Sequence, residues 1–186
     1  MVVDETTRSR LTREVWISAA LDILATEGVD GVAVERLAEQ LGVTKGSFYW
    51  HFRDRAELIT AALGHWALER TAERISSLLS IPDPHRRLRE LIGPGEMRID
   101  PIDLLLVSSL SRPEVAPILR DHHRVWLEFA QALFRQLGVP EPEAALRGLL
   151  AYGSYLGLVI LSATNPDELD GMLDGGAIAD LLDVVR

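Results

Sequence analysis

Cysteine is absent from the 186 residues, which excludes disulfides, thiolate nucleophiles and thiolate metal sites. Lysine occurs once, at Lys45, so arginine carries every other formally positive side chain. No glycine-rich phosphate loop follows a strand pattern. Gly153-Ser154 is no Gly-x-Ser-x-Gly elbow and falls inside a helical stretch. Paired carboxylates at catalytic spacing are also missing. His122-His123 does not suggest a metal, because adjacent helical positions point about 100° apart and no acid or histidine lies three or four residues away. The expectation is a protein that is not an enzyme and holds no cofactor and no metal. No charged-then-apolar leader opens the chain, since Asp4, Glu5, Arg8 and Arg10 crowd its start, so a cytoplasmic location is expected.

A hydrophobic content of 47% excludes wholesale disorder, and the length suits one domain or two small ones. The net charge of −9 argues at first sight against nucleic acid. Its distribution softens that objection. Arg8, Arg10 and Arg13 form a run with no acid between them, and residues 36–55 carry Arg36, Lys45, Arg53 and Arg55 against Glu39 and Asp54. Association follows the field at the contacting face rather than the sum over the chain. A local basic patch on an acidic protein is expected.

The stretch AVERLAEQLGVTKGSFYWHFRDRAEL, residues 33–58, holds the strongest pattern. Val34, Leu37, Ala38 and Leu41 form one apolar stripe at helical spacing, with Ala38 small enough for a close helix crossing. Gly42 is suited to the left-handed position that ends such a helix. Val43 then turns inward, and the Thr44 hydroxyl is expected to cap the next helix. Phe48 and Phe52, four apart, anchor that helix. Lys45, Gly46, Ser47, Tyr49, Trp50 and His51 are left to share the outer surface. This is the register of a helix-turn-helix, whose second helix enters the major groove. Arg36, Thr44, Lys45, Gly46, Ser47, Tyr49, Trp50, His51 and Arg55 are the candidate DNA contacts.

The same residues, within AALDILATEGVDGVAVERLAEQLGVTKGSFYWHFRDRAELI, resemble the tetracycline-repressor (TetR/AcrR-type) family of bacterial transcription regulators from about Leu11 to Leu63. The aromatic run Phe48-Tyr49-Trp50-His51-Phe52 followed by Arg53-Asp54-Arg55 is central to the likeness. Val32 and Ala33 stand where the family usually has Thr or Ser, and Arg55 replaces a common lysine. The resemblance implies an N-terminal three-helix DNA-binding domain, a divergent helical ligand-binding domain and a homodimer. It further implies repression of a neighbouring gene, relieved by a small-molecule effector.

Elsewhere the punctuation predicts helices only. One runs from a Thr12 cap to Glu27, with Trp16, Ala20, Ile23 and Leu24 on one stripe and Gly28 as its stop. Asp54 and Glu57 resemble a capping box opening a helix to Ser80, with Leu58, Ala62, His65, Trp66, Glu69 and Ala72 in one lane. Helices are also expected at 84–92, 101–110, 117–137, 142–163 and 167–185, with a breaker at Gly93-Pro94-Gly95. The uncharged tract 148–166 is interrupted by glycines and polar residues, so a helix buried all round is preferred over a membrane span. Gly153 and Gly157 leave a flat strip, which suggests a dimer seam over packing within one subunit. The seam residues are Leu146, Leu149, Gly153, Leu156, Gly157 and Ile160.

Trp66, His122, Trp126, Phe129, Tyr152 and Tyr155 are core residues by default and pocket-lining residues if an effector binds between helices. For His122, a satisfied core histidine and a ligand contact both remain open. The whole reading is an all-α homodimer, with residues 10–53 binding a double-stranded operator and residues 54–186 dimerising and enclosing the effector. The other classes are a small helical enzyme and a helical protein-interaction module, neither of which would bind DNA.

Overall fold

The computed structural model describes residues 11–92 and 109–165, together with Ile102. Among these the structure is all-helical: α1 Arg13–Gly31, α2 Val34–Gln40, α3 Lys45–Tyr49, α4 Arg55–Leu79, α5 Pro84–Ile92, α6 Ala116–Gln136 and α7 Glu141–Thr164. The helices expected at 101–110 and 167–185 lie outside the described residues, as do Arg8, Arg10 and the breaker at 93–95. By packing, the described residues up to Ala67 and those of 109–118 form one compact unit. Those of 68–92, with Ile102 and 119–165, form another. The packing boundary therefore runs through α4.

Glycine sets the punctuation of the first unit. Gly28 sits at φ 73°, ψ −168° and breaks the helical run of α1 where the sequence predicts a stop. Gly42, at φ +67°, reverses the chain between α2 and α3, a conformation that costs most other residues dearly. Trp16, Ala20, Ile23 and Leu24 of α1 are buried, as are Leu37 and Ala38 of α2. Phe48 and Phe52 lie among them, fully buried or nearly so. Leu58, Ile59, Ala62 and Leu63 of α4 complete this core. The lane expected along α4 is buried only as far as Trp66, for His65, Glu69 and Ala72 are exposed. Segment 109–118 belongs to the same unit: Arg112 pairs with Asp30 at 2.6 Å, and the Thr60 hydroxyl donates to the Glu114 carbonyl at 3.3 Å.

The second unit packs α5, α6, α7 and the end of α4. Leu88, Leu133, Phe134, Ala144 and Ala151 form one buried cluster, and Leu78, Trp126 and Tyr152 form another. Arg87 is itself buried, and its guanidinium donates to the carbonyls of Leu78 and Ile81 and to Oε1 of Gln136, so the exit of α4 is tied to α6. His122 Nδ1 lies 3.0 Å from the Thr71 hydroxyl, and His123 Nδ1 lies 2.7 Å from the Tyr152 hydroxyl. Both histidines have side-chain partners in the fold.

Helix α7 departs from the expectation of burial all round. Ala144, Arg147, Gly148, Ala151, Tyr152 and Val159 face inward, whereas Leu146, Leu149, Leu150, Ile160 and Leu161 are exposed. Its close crossing lies at a glycine that the sequence pattern did not single out. A Cβ on Gly148 would meet the backbone nitrogen of Gln131 at 2.8 Å, so α6 and α7 approach backbone to backbone there. At Gly153 and Gly157 nothing comes within 4 Å of such a Cβ.

Two predictions follow from this packing. Gly148→Ala forces α6 and α7 apart, and overpacking of this kind costs about 1–3 kcal/mol, read as a lower denaturant midpoint. An unchanged midpoint would refute the backbone crossing. The second concerns acid. Burial, then the neighbouring His123, then Arg70 push the His122 pKa down to about 4, against about 6.5 in an unfolded chain. Between those values the unfolded state binds more protons, so stability falls as pH drops from about 6.5 towards 4. His122→Gln should flatten thermal midpoints against pH in that window, and an equally steep profile in the variant would contradict the assignment.

Candidate nucleic-acid interface

The outward face of α3 exists because its inward face is fixed by aromatic packing. Phe48 meets Trp16 edge-on at 5.4 Å between ring centroids and stacks on Phe52 at 5.5 Å. The Arg13 guanidinium lies over the outer side of the Phe52 ring, 4.8 Å from its centroid, a cation–π contact. With Phe48 buried, Tyr49 and Trp50 are turned out, 63% and 81% exposed. Thr44, Lys45 and Gly46 are exposed beside them, and Ser47 and His51 are half-buried. The backbone bonds His51 N to Phe48 O at 2.9 Å and Phe52 N to Phe48 O at 3.0 Å continue the helical path past the five residues of α3. The structure thus brings the expected contacts of residues 44–51 onto one surface.

Capping differs from expectation in chemistry rather than position. Thr12 and Thr44 stand at the N-caps of α1 and α3 in extended conformation, yet neither hydroxyl caps a backbone amide of the helix it opens. Thr44 instead contributes its carbonyl, which accepts from Ser47 N at 3.0 Å. At α4 the capping pair forms as the sequence predicts, shifted by one residue. Asp54 accepts from the Glu57 amide at 2.8 Å, and Glu57 accepts from the Arg53 amide at 2.8 Å. The Glu57 amide bond, first among its causes, holds the Asp54 carboxyl below its ordinary range.

The basic patch looks different in three dimensions. Lys45 Nζ lies 2.5 Å from Glu35 Oε1, and Arg36 grips both carboxylate oxygens of Glu27 at 2.5 Å. Those bonds hold both glutamates below the ordinary carboxylate range. Arg53 Nε lies 3.3 Å from Asp54. The Arg55 guanidinium donates to the carbonyls of Val29 and Val32, fastening α4 to the turn before α2. Each of the four cations counted in residues 36–55 therefore already has an acceptor. Glu27 and Glu35 had no sequence signal as partners, being nine and ten residues away across turns.

The other candidates fall elsewhere. Trp66 lies in the first unit. His122, Trp126, Phe129, Tyr152 and Tyr155 lie in the second, where Trp126 and Tyr152 stack at 6.5 Å and Tyr152 and Tyr155 at 6.2 Å. Of the seam candidates, Leu146, Leu149, Gly153 and Ile160 are exposed, and Leu156 and Gly157 are half-buried. Among the described residues no cluster of three His, Asp or Glu could hold a metal ion.

Residues 17–62 match the family described as bacterial regulatory proteins, tetR family. Over 53 residues the chain is 45% identical to the tetracycline repressor protein class A from transposon 1721 of Escherichia coli, covering 28% of this chain and 24% of that one. The chain thus spans about a quarter of the length of this curated relative. Fold likeness extends much further. A Saccharomonospora viridis protein in complex with choline matches with a TM-score of 0.72 at 20% identity, over 92% of this chain and 93% of that one. The transcriptional regulator FadR of Bacillus subtilis, in complex with stearoyl-CoA, matches with a TM-score of 0.72 at 15% identity, over 92% and 97%. At these identities the two structures speak for the fold alone. Residues 17–62, the segment that holds the helix-turn-helix, are thus similar to the tetR family of bacterial regulatory proteins.

Proposed function

We propose that this protein is a DNA-binding transcriptional regulator, a repressor that grips a palindromic operator as a homodimer and is released by a small apolar effector. The observation that carries the reading is the α3 surface. Thr44, Lys45, Gly46, Tyr49 and Trp50 stand out from a helix whose other side is locked to Trp16 and Phe52. A helix docked in the major groove needs such a rigid back and such a polar and aromatic front. Residues 10–53 do the reading, and residues 54–186 dimerise and hold the effector. A DNA-binding role of this kind puts the protein in the cytoplasm.

Two copies are needed because paired recognition helices must lie about 34–36 Å apart to enter successive major grooves. The exposed leucines of α7 and the uncovered Gly153 and Gly157 support α7 as the seam. Residues Glu141–Leu161 are long and apolar enough to cross a bilayer. Against that, Arg147 is buried and bonded to Glu143, and 39% of this apolar stretch already lies inside the protein, which favours a protein partner.

That a small molecule is bound at all draws on the choline and stearoyl-CoA held by the two structural neighbours, although neither is itself a small apolar compound. In this chain the stacked aromatics with His122 and His123 offer apolar faces beside a few polar atoms, the combination that small-molecule pockets use. An effector that binds the non-operator state more tightly, typically by about 1–3 kcal/mol, is enough to release the operator.

Lys45→Ala and His51→Ala should each weaken binding to DNA flanking the protein's own gene, with the fold intact by circular dichroism. Unchanged fluorescence-anisotropy titrations for both would remove α3 as the reader. Replacing Gly153 or Gly157 by Leu should crowd the seam, raising the monomer fraction in sedimentation and weakening DNA binding in step. A fully dimeric Gly153→Leu/Gly157→Leu protein would move the seam off this strip.

A further inference from the structure

The α2–α3 surface carries its own competitor for DNA. Lys45 is the single lysine of the chain, and its ammonium is held by Glu35 from the first turn of α2, 2.5 Å away. Both ends of the pair are more than half exposed, at 54% and 64% of their side chains, so solvent and a phosphate can reach them. The Lys45 bond keeps Glu35 below the ordinary carboxylate range, and Glu35 is therefore ionised at neutral pH. Arg36 is locked to Glu27 in the same manner.

Resting on the reading of α2–α3 as the DNA-binding surface, we propose that Glu35 is an affinity-limiting residue that Lys45 must abandon before it contacts a phosphate. The contact is an exchange of anions, not the capture of one by a waiting cation. It strips Glu35 of its partner and leaves the carboxylate next to the phosphate backbone, where the like charges repel.

The exchange has a distinctive salt signature. A cation that meets a phosphate releases a condensed counterion, which contributes about 0.9 to the slope of log K against log salt. Here Lys45 brings the Glu35 carboxylate to the DNA with it, so the two together add no net positive charge and the condensed atmosphere is little depleted. The two charges offset, and Lys45 leaves almost no mark on the slope while Glu35 is present. An acidic protein built this way binds DNA more weakly and with less dependence on salt than its count of surface cations suggests.

The experiment measures binding of a short mixed-sequence duplex, and of DNA flanking the gene, between about 50 and 200 mM salt. The proteins are wild type, Glu35→Gln, Lys45→Ala, the double variant, and Glu39→Gln as a control that removes a charge from the same helix. Glu35→Gln should tighten binding about twofold to fivefold, the worth of an exposed ion pair, and steepen the slope by about 0.9. Adding Lys45→Ala should cancel both changes, whereas Lys45→Ala alone should leave the slope as in wild type. A Glu39→Gln effect as large as that of Glu35→Gln would overturn the proposal, because any lost charge would then do. Tightening that survives in the double variant overturns it too. Weaker binding by Glu35→Gln would make Glu35 a direct DNA contact, such as an acceptor from cytosine, and likewise end the proposal. If no variant binds either duplex, the DNA-binding reading itself fails; if Lys45→Ala weakens binding while Glu35→Gln is silent, only the competitor role fails.

Discussion

Phe48 has no exposed surface, and the orientation of the whole candidate interface follows from that burial. Its ring is held edge-on by Trp16 of α1 and stacked by Phe52, so α3 cannot roll without breaking two aromatic contacts. Once Phe48 points in, the helical period sends Tyr49 and Trp50 out. The left-handed Gly42 delivers the chain to α3 at that angle, and the paired Asp54 and Glu57 end the segment and open α4. Arg55 then closes the loop by binding the carbonyls of Val29 and Val32. The α3 surface is rigid because its back is apolar core and its edges are tied by hydrogen bonds to backbone atoms.

That rigidity bears on how an acidic chain meets a polyanion. At −9 overall, long-range attraction to DNA is weak or adverse. Locally, Arg36, Lys45 and Arg53 each sit beside a carboxylate. On the proposed reading, affinity for DNA comes from shape, from polar and aromatic contacts at base edges and phosphates, and from the joint binding of two half-sites. A dimer gains most in that regime, because a single weak head binds little by itself.

Among the described residues the helical architecture, the helix-turn-helix and the burial of Phe48 and Phe52 beneath exposed Tyr49 and Trp50 were legible in the sequence, whereas Leu41 and Val43, expected inward, and Ser47 and His51, expected outward, are all half-buried. They depend on period and on glycine, and both are local signals. Trp16, Leu37, Phe48 and Phe52 are buried because their spacing allows nothing else. What sequence could not carry was pairing across turns. Glu27 meets Arg36 and Glu35 meets Lys45 only after α1, α2 and α3 have docked, and no spacing rule connects positions nine or ten apart. The threonine caps show the same limit in reverse, since the N-cap position is sequential while the hydroxyl's choice of partner is not.

Helix α7 brings the two kinds of information together. Composition made it uniformly apolar, and from composition alone burial on every side was the economical reading. Packing divides it instead. Gly148 lets α6 approach backbone to backbone on one side, and that side is further closed by Ala144, Ala151 and Tyr152. Leu146, Leu149, Leu150, Ile160 and Leu161 form the other side and meet water in the single chain. Buried Arg147, bonded to Glu143, sits on the inner side, so the charge that would be hardest to place in a bilayer is already neutralised within the protein. A row of exposed leucines on a long helix is costly to leave in water. In the proposed homodimer the same row of a second copy covers it, since a two-fold interface brings the same patch of both subunits together.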